Sequence, residues 1–187
     1  MDPIAKYIFE AGMLKRVARS GWWAEKIKCP ESVADHSFRT AVIAFILAKL
    51  EGMDDTKANR ICTAAVFHDM HETRLLDLNK ITAKYIEITK ELERKVEKEQ
   101  VKEIEPKLRD SILKILDLNE NEEQILKDAD YLECAFQAKE YADIGYRTEK
   151  WVDNIAKRLT TKSAKELIKK LTGSDSGSWK KGLKKFE

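Results

Sequence analysis

The sequence predicts an all-α protein folded as a single-domain helical bundle. Only seven Gly and three Pro punctuate its 187 residues. Between them apolar residues recur at three- and four-residue spacing, and no segment reads as a strand. The length fits one domain with a substantial core, and two would be cramped. We expect that domain over residues 1–172, followed by a flexible basic tail over 173–187.

The first helix is expected from about Pro3 to Ala18, because Pro3 suits a first turn and Ile4, Ile8, Ala11 and Leu14 form a stripe. Gly21 breaks it. A loop with Trp22, Trp23 and Cys29-Pro30 leads to Ser32-Val-Ala-Asp35, a capping-box pattern that starts a helix through about Glu51. Gly52 ends that helix, and Asp55 or Thr56 caps the next, which carries Ile61, Ala65, His68 and Glu72 along one face. A highly charged helix from about Ala83 to Ile104 keeps Ile88, Leu92 and Val96 at spacing four until Pro106 stops it. Leu108 to Leu118 reads as a shorter helix. Glu122 to about Ile144 reads as a longer one, capped by Asn121 and ended at Gly145. A final helical region from Thr148 to Leu171 divides near Thr160-Thr161.

Composition removes several function classes. With 43% AVILMFWYC and 36% charged residues, the chain is too apolar for disorder and too charged for a membrane bundle. The longest apolar stretch, Ala41 to Leu50, is interrupted at Lys49, and the Met-Asp-Pro start is not a secretory signal, so the expected location is cytoplasmic, without a membrane partner. Lys plus Arg number 35 against 33 Asp plus Glu, which gives no electrostatic reason to expect a nucleic-acid polymer. Lys180, Lys181, Lys184 and Lys185, with Trp179 and Phe186, read as a solvated tail. Cys29, Cys62 and Cys134 are an odd number at wide spacing, which argues against a disulfide framework and a thiolate zinc site.

The chemistry concentrates in one place. All three histidines, His36, His68 and His71, fall within one 36-residue window beside acidic residues. His68-Asp69 shares its expected helix with Glu72, four residues from His68 and three from Asp69, so an ion close to the helix surface could meet this face. Further ligands must come from other helices. His36 and Asp130 are candidates, since each occupies an amphipathic helix where an apolar residue would stabilise the core more simply. Two His and two Asp make a mixed nitrogen and oxygen set that accepts Mn, Co, Mg, Zn, Fe or Ni and leaves positions for water and substrate. His71 points away from this line.

The order His36, His68-Asp69, Asp130 resembles the H…HD…D pattern of the HD-domain metal-dependent phosphohydrolases. Glu-Ser-Val-Ala-Asp-His36-Ser, His68-Asp69-Met-His-Glu72, Asp77 and Leu-Lys-Asp-Ala-Asp130-Tyr-Leu-Glu-Cys-Ala resemble the 5′-deoxynucleotidase branch, which includes the bacterial YfbR type. The resemblance runs from about Leu14 to Tyr146. It implies a helical HD-domain fold, a homodimer, and divalent-cation-dependent removal of phosphate from (deoxy)ribonucleoside 5′-monophosphates, deoxy forms preferred.

Carried over by residue, the resemblance makes His36, His68, Asp69 and Asp130 metal ligands and Glu72 a general base, or with Asp77 a ligand to a second ion. Arg19-Ser-Gly-Trp22-Trp23 resembles the family's Arg-Trp phosphate and sugar contact, and Asp77 to Lys80 its substrate loop. Here Ser20-Gly21 separates the Arg from the Trp pair, which leaves both Trp22 and Trp23 as candidate contacts. In the mechanism this implies, a metal-bound water deprotonated by Glu72 attacks phosphorus while the ion and Arg19, with Lys80, stabilise the charge. The alternatives keep the metal site and change the outcome: an HD-type phosphodiesterase or other nucleotide hydrolase, or a metal- or nucleotide-binding regulatory bundle without turnover.

Overall fold

Capping side chains, more than apolar pattern, fix where most helices begin. The structure, a computed structural model, describes residues 1–183; the expectations for Lys184, Lys185 and Phe186 lie outside the described residues. Among these the chain forms α1 (Pro3–Ala11), α2 (Val33–Leu50), α3 (Asp55–Phe67), α4 (Glu72–Leu75), α5 (Lys90–Val101), α6 (Pro106–Lys114), α7 (Glu120–Asp143), α8 (Glu149–Ala156) and α9 (Lys162–Thr172), with short 3-10 turns between several of them and no strand. Ser32 and Asp35 form the expected capping box of α2, each side chain bonding the other's backbone N–H.

Several boundaries differ from expectation. The first helix stops at Ala11, because the chain must extend by Val17 and Arg19, where Val33 N–H donates to Val17 O and Arg19 N–H to Glu31 O. Asp54, one residue before the expected cap, accepts the Lys57 N–H. The charged helix begins only at Lys90, capped by Thr89 Oγ1, because Asn79 Oδ1 turns the chain by accepting the N–H groups of Ile81 and Thr82. Pro106 opens α6 as its first residue, where its missing donor costs nothing. Asn119, not Asn121, caps α7 in a reciprocal box with Glu122. The expected division at Thr160-Thr161 has a clear cause: buried Asp128 of α7 accepts both of their backbone N–H groups.

The helices α2 and α3 pack as a hairpin, α7 lies across both, and α8 and α9 pack on α7. Their shared core includes Leu47, Ile61, Leu132, Ala129 and Ile168. A smaller cluster of Tyr7, Leu14, Val33, Met70 and Val101 joins α1 and α5 to the base of α2. Between the two cores lie the start of α2, the end of α3 and the middle of α7, and the expected ligands sit there. No helix among the described residues is long and apolar enough to cross a membrane.

Candidate active site

His36 stands in the first turns of α2 and is fully buried. Its Nδ1 donates to Glu133 Oε2 at 2.6 Å, since a carboxylate only accepts. Glu133, also fully buried, is held in turn by Arg39, which also reaches Gln137 and Glu140. With Nδ1 fixed, His36 Nε2 faces Asp130 Oδ1 at 3.1 Å and Asp69 Oδ2 at 3.7 Å.

The helical reading of His68 to Glu72 is corrected: α3 ends at Phe67, and residues 68–71 form tight turns, with Met70 N–H bonded to Phe67 O and Glu72 N–H to Asp69 O. In such i to i+3 turns Asp69 and Glu72 come nearly into register. His68 Nδ1 donates back to Ala65 O at 2.8 Å, so its Nε2 faces inward too, 3.2 Å from Asp69 Oδ2. Neither His68 Nε2 nor Asp69 Oδ2 makes a hydrogen bond, although both are buried, and Glu72 Oε2 is equally unpartnered. Buried polar atoms rarely go without partners. Two histidines with Nδ1 anchored and Nε2 turned to a common point beside two carboxylates are the donor chemistry of a first-row divalent cation.

The atoms of His36, His68 and Asp69 lie within one ion's reach of each other, and His36 is shared with a second such group containing Asp130 and Cys134. Cys134 is a poor ligand here. Burial comes first among the causes that push its thiol up to about 11, and it accepts the Arg19 Nη2–H at 3.3 Å. Burial works against charge on His36 as well, and Arg19 adds to that, yet the hydrogen bonds to Asp130 and Glu133 prevail and raise its pKa. For Asp130 the desolvation is outweighed by the His36 bond and by the charges of His36 and Arg19, which hold its carboxyl well below the usual range. Burial, then the charges of Asp69 and Asp77, push Glu72 up to about 9.

Arg19 lies at the edge of this cluster, with Nη1 2.9 Å from Asp77 Oδ1 and 3.9 Å from Asp69 Oδ2, and Nη2 3.9 Å from Asp130 Oδ1. Ser20 explains how Asp77 meets it. The Ser20 N–H donates to Asp77 Oδ2 and its hydroxyl to Asp77 O, while Asn79 donates to Ser20 Oγ. Leu76, just before, has φ 65° and ψ 163°, a conformation close to glycine-only, so the turn that delivers Asp77 is strained.

A cavity of about 240 Å³ opens beside the cluster, lined by Arg19, Trp22, Asp77, Lys80, Asp130 and Trp151 among others. It adjoins a hollow of about 210 Å³ with which it shares Asn79, Lys80, Trp151 and Arg158. A larger open hollow runs along α5 and contains none of these groups. The tryptophan pair splits. Trp22, 2% exposed, stacks on Trp151 at 4.5 Å between ring centroids and donates Nε1–H to Glu31, whereas Trp23 is 55% exposed and does not line the cavity. Gly21 permits the stack, since a Cβ there would lie 3.1 Å from the Trp151 ring. Lys80 Nζ sits 5.9 Å above the Trp151 ring. His71 is turned toward Glu93 and Glu97, yet one of its ring nitrogens also lies within 4.8 Å of carboxylate oxygens of Asp69 and Glu72.

Sequence reasoning missed Glu133, Trp151, Tyr131 and Arg158. Glu133 was within reach: it stands one turn after Asp130, so it shares that helix face. Trp151 and Arg158 come from a distant segment whose local pattern reads only as amphipathic.

An all-helical bundle that gathers a His, a His-Asp pair and an Asp from three separate segments defines the HD-domain class. The family model described as HD domain matches residues 11–172, and the chain belongs to that family. It is similar to 5′-deoxynucleotidase HDDC2 of Homo sapiens, at 29% identity over 92% of this chain and 86% of the relative. It is also similar to the protein of that name from Xenopus laevis, at 33% identity over 73% of this chain and 68% of the relative. Among solved structures it resembles the one named genomics APC5600, at 39% identity and TM-score 0.78, covering 92% of this chain and 95% of that one.

Proposed function

We propose that this protein is a metal-dependent phosphohydrolase that removes the 5′-phosphate from nucleoside 5′-monophosphates, deoxy forms preferred. The observation that carries the reading is the buried, unbonded pair His68 Nε2 and Asp69 Oδ2, 3.2 Å apart and adjoined by His36, Asp130 and Arg19. Its relatives named 5′-deoxynucleotidase supply the substrate class. His36, His68, Asp69 and Asp130 would hold one divalent cation, which supplies a Lewis acid for a phosphoryl oxygen and a water that ionises near neutral pH.

The chain's own groups do the rest. Arg19 presents its guanidinium at the rim of the cluster, where it can hold two phosphate oxygens. Asp77 and Ser20 fix that guanidinium, and because both Asp77 oxygens are engaged, orienting Arg19 is the role we assign to Asp77 in preference to a second ion. Glu72 takes the proton from the attacking water; a nearby cation would favour its carboxylate form, which burial and the charges of Asp69 and Asp77 oppose. Lys80 adds positive charge over the cavity, and Trp22 with Trp151 gives it an aromatic wall against which a base and sugar pack. We further propose that the enzyme works in the cytoplasm as a homodimer.

Glu133 fixes His36 for its ligand role, so Glu133→Gln is expected to weaken metal affinity by about 10- to 100-fold, measured by competition with a chelating dye. The substrate assignment is tested by phosphate release from paired deoxyribo- and ribonucleoside 5′-monophosphates, 3′-monophosphates and a phosphodiester. Release from 5′-monophosphates, faster for deoxy forms, is expected; turnover of the diester alone would overturn the reading.

A further inference from the structure

Beside the cavity that faces the expected ligands lies a second hollow that the proposed activity leaves unused. The near cavity, of about 240 Å³, reaches Arg19 and Asp130, whereas the far hollow, of about 210 Å³, contains neither. Lys80 and Arg158 line both. Each leans on an aromatic ring, Lys80 Nζ 5.9 Å from the Trp151 centroid and Arg158 Cζ 5.7 Å from that of Tyr131. The other arginines around the interior, Arg19, Arg39, Arg74 and Arg94, all hold carboxylates at 3.0 Å or less. Among the described residues no carboxylate oxygen comes within 4 Å of Lys80 or Arg158, although Arg158 also borders a hollow that contains Glu120 and Glu123.

Both cations stand on backbone that is tied down. Asn79 Oδ1 accepts the N–H groups of Ile81 and Thr82, and its amide donates to Ser20 Oγ, which fixes the turn carrying Lys80. Arg158 N–H donates to Ile155 O at the end of α8, and two residues on Asp128 holds the Thr160 N–H. Neither lysine nor arginine accepts a hydrogen bond, so this end of the cavity suits a group rich in acceptors and negative charge. A nucleobase is neutral, and the phosphate to be cleaved belongs with Arg19 and the metal ligands. A second phosphate on the 5′ chain stays next to the first, whereas one on the 3′ oxygen lies a sugar's width away. We infer that Lys80 and Arg158 hold a second phosphate in the far hollow, and that the preferred substrate class is a nucleoside 3′,5′-bisphosphate. The inference rests on the proposed removal of the 5′-phosphate and extends it. In the reaction the oxygen of water bonds to phosphorus, the bond from phosphorus to the 5′ oxygen breaks, and that oxygen takes a proton. The products are a nucleoside 3′-monophosphate and inorganic phosphate.

Titration calorimetry of the full chain, freed of metal so that nothing turns over, compares 2′-deoxyadenosine 3′,5′-bisphosphate with the 5′-monophosphate. The bisphosphate should bind about 10-fold more tightly, and Arg158→Gln and Lys80→Gln should each cut that gap to about threefold or less. Both side chains are exposed, so the circular dichroism spectrum should not change. The same gap should appear in KM for phosphate release by the metal-loaded enzyme. A 5′-phosphorylated dinucleotide should gain less than the bisphosphate, because the far hollow falls below the ~300 Å³ at which pockets for a further nucleoside begin. An equal gain would overturn the bisphosphate in favour of an oligonucleotide end. Equal affinity for the two mononucleotides, or a gap that survives both substitutions, would overturn the inference outright. A binding gap without phosphate release from either would instead overturn the proposed activity and leave the second phosphate site standing.

Discussion

Asp69→Ala is expected to reduce phosphate release by roughly 1,000-fold, as loss of a central charge-bearing group in a hydrolytic metal centre does. The expectation follows from where Asp69 Oδ2 sits: 3.2 Å from His68 Nε2, 3.7 Å from His36 Nε2 and 3.9 Å from Arg19 Nη1. No other carboxylate oxygen among the described residues lies within 4 Å of both His36 Nε2 and His68 Nε2. Removing it leaves two imidazole nitrogens and the more exposed Asp130, too few donors to hold an ion tightly. The fold should survive, since Asp69 Oδ2 forms no hydrogen bond. Steady-state kinetics with circular dichroism of the same sample checks both halves. Near-normal rates in a folded variant would remove Asp69 from the site.

Glu72→Gln is expected to lower kcat by about 100- to 10,000-fold with KM little changed, the range for loss of a positioned general base. A pH experiment on chelated protein separates this residue's chemistry from its packing. Glu72 is pushed from an ordinary 4.5 to about 9 by burial, then by Asp69 and Asp77. Between those values the native protein holds a proton that the unfolded chain has lost, so stability falls as pH rises through this window. Gln cannot ionise. The variant should therefore show a shallower decline of melting temperature between pH 5 and 9 and melt higher than the wild type at pH 8. An unchanged slope would mean that Glu72 is not the buried titrating group.

How much of this was legible in the sequence depended on how local each determinant is. The cap of α2 was readable because Ser32 and Asp35 bond only each other, three residues apart. The cap of α7 was misplaced by two positions, because Asn119 and Asn121 both precede acidic residues and only the reciprocal bond to Glu122 distinguishes them. His36, His68, Asp69 and Asp130, which the fold brings together, were legible as residue types in helical context. The tight turns at residues 68–71 were not, since a spacing of three or four fits a helix and a tight turn alike. Trp22 and Trp23 were indistinguishable until the fold brought Trp151 onto one of them, across a separation that no local pattern records.

The most direct measurement is a titration of chelated wild-type protein with Mn, Co, Mg, Zn, Fe or Ni, following bound ion and phosphate release from a deoxyribonucleoside 5′-monophosphate in the same sample. One tight ion per chain, with release rising in proportion to occupancy and no such ion in Asp69→Ala, is the predicted result. Full release from the chelated protein, or tight ion binding that Asp69→Ala leaves intact, would contradict a hydrolytic centre built on His36, His68, Asp69 and Asp130.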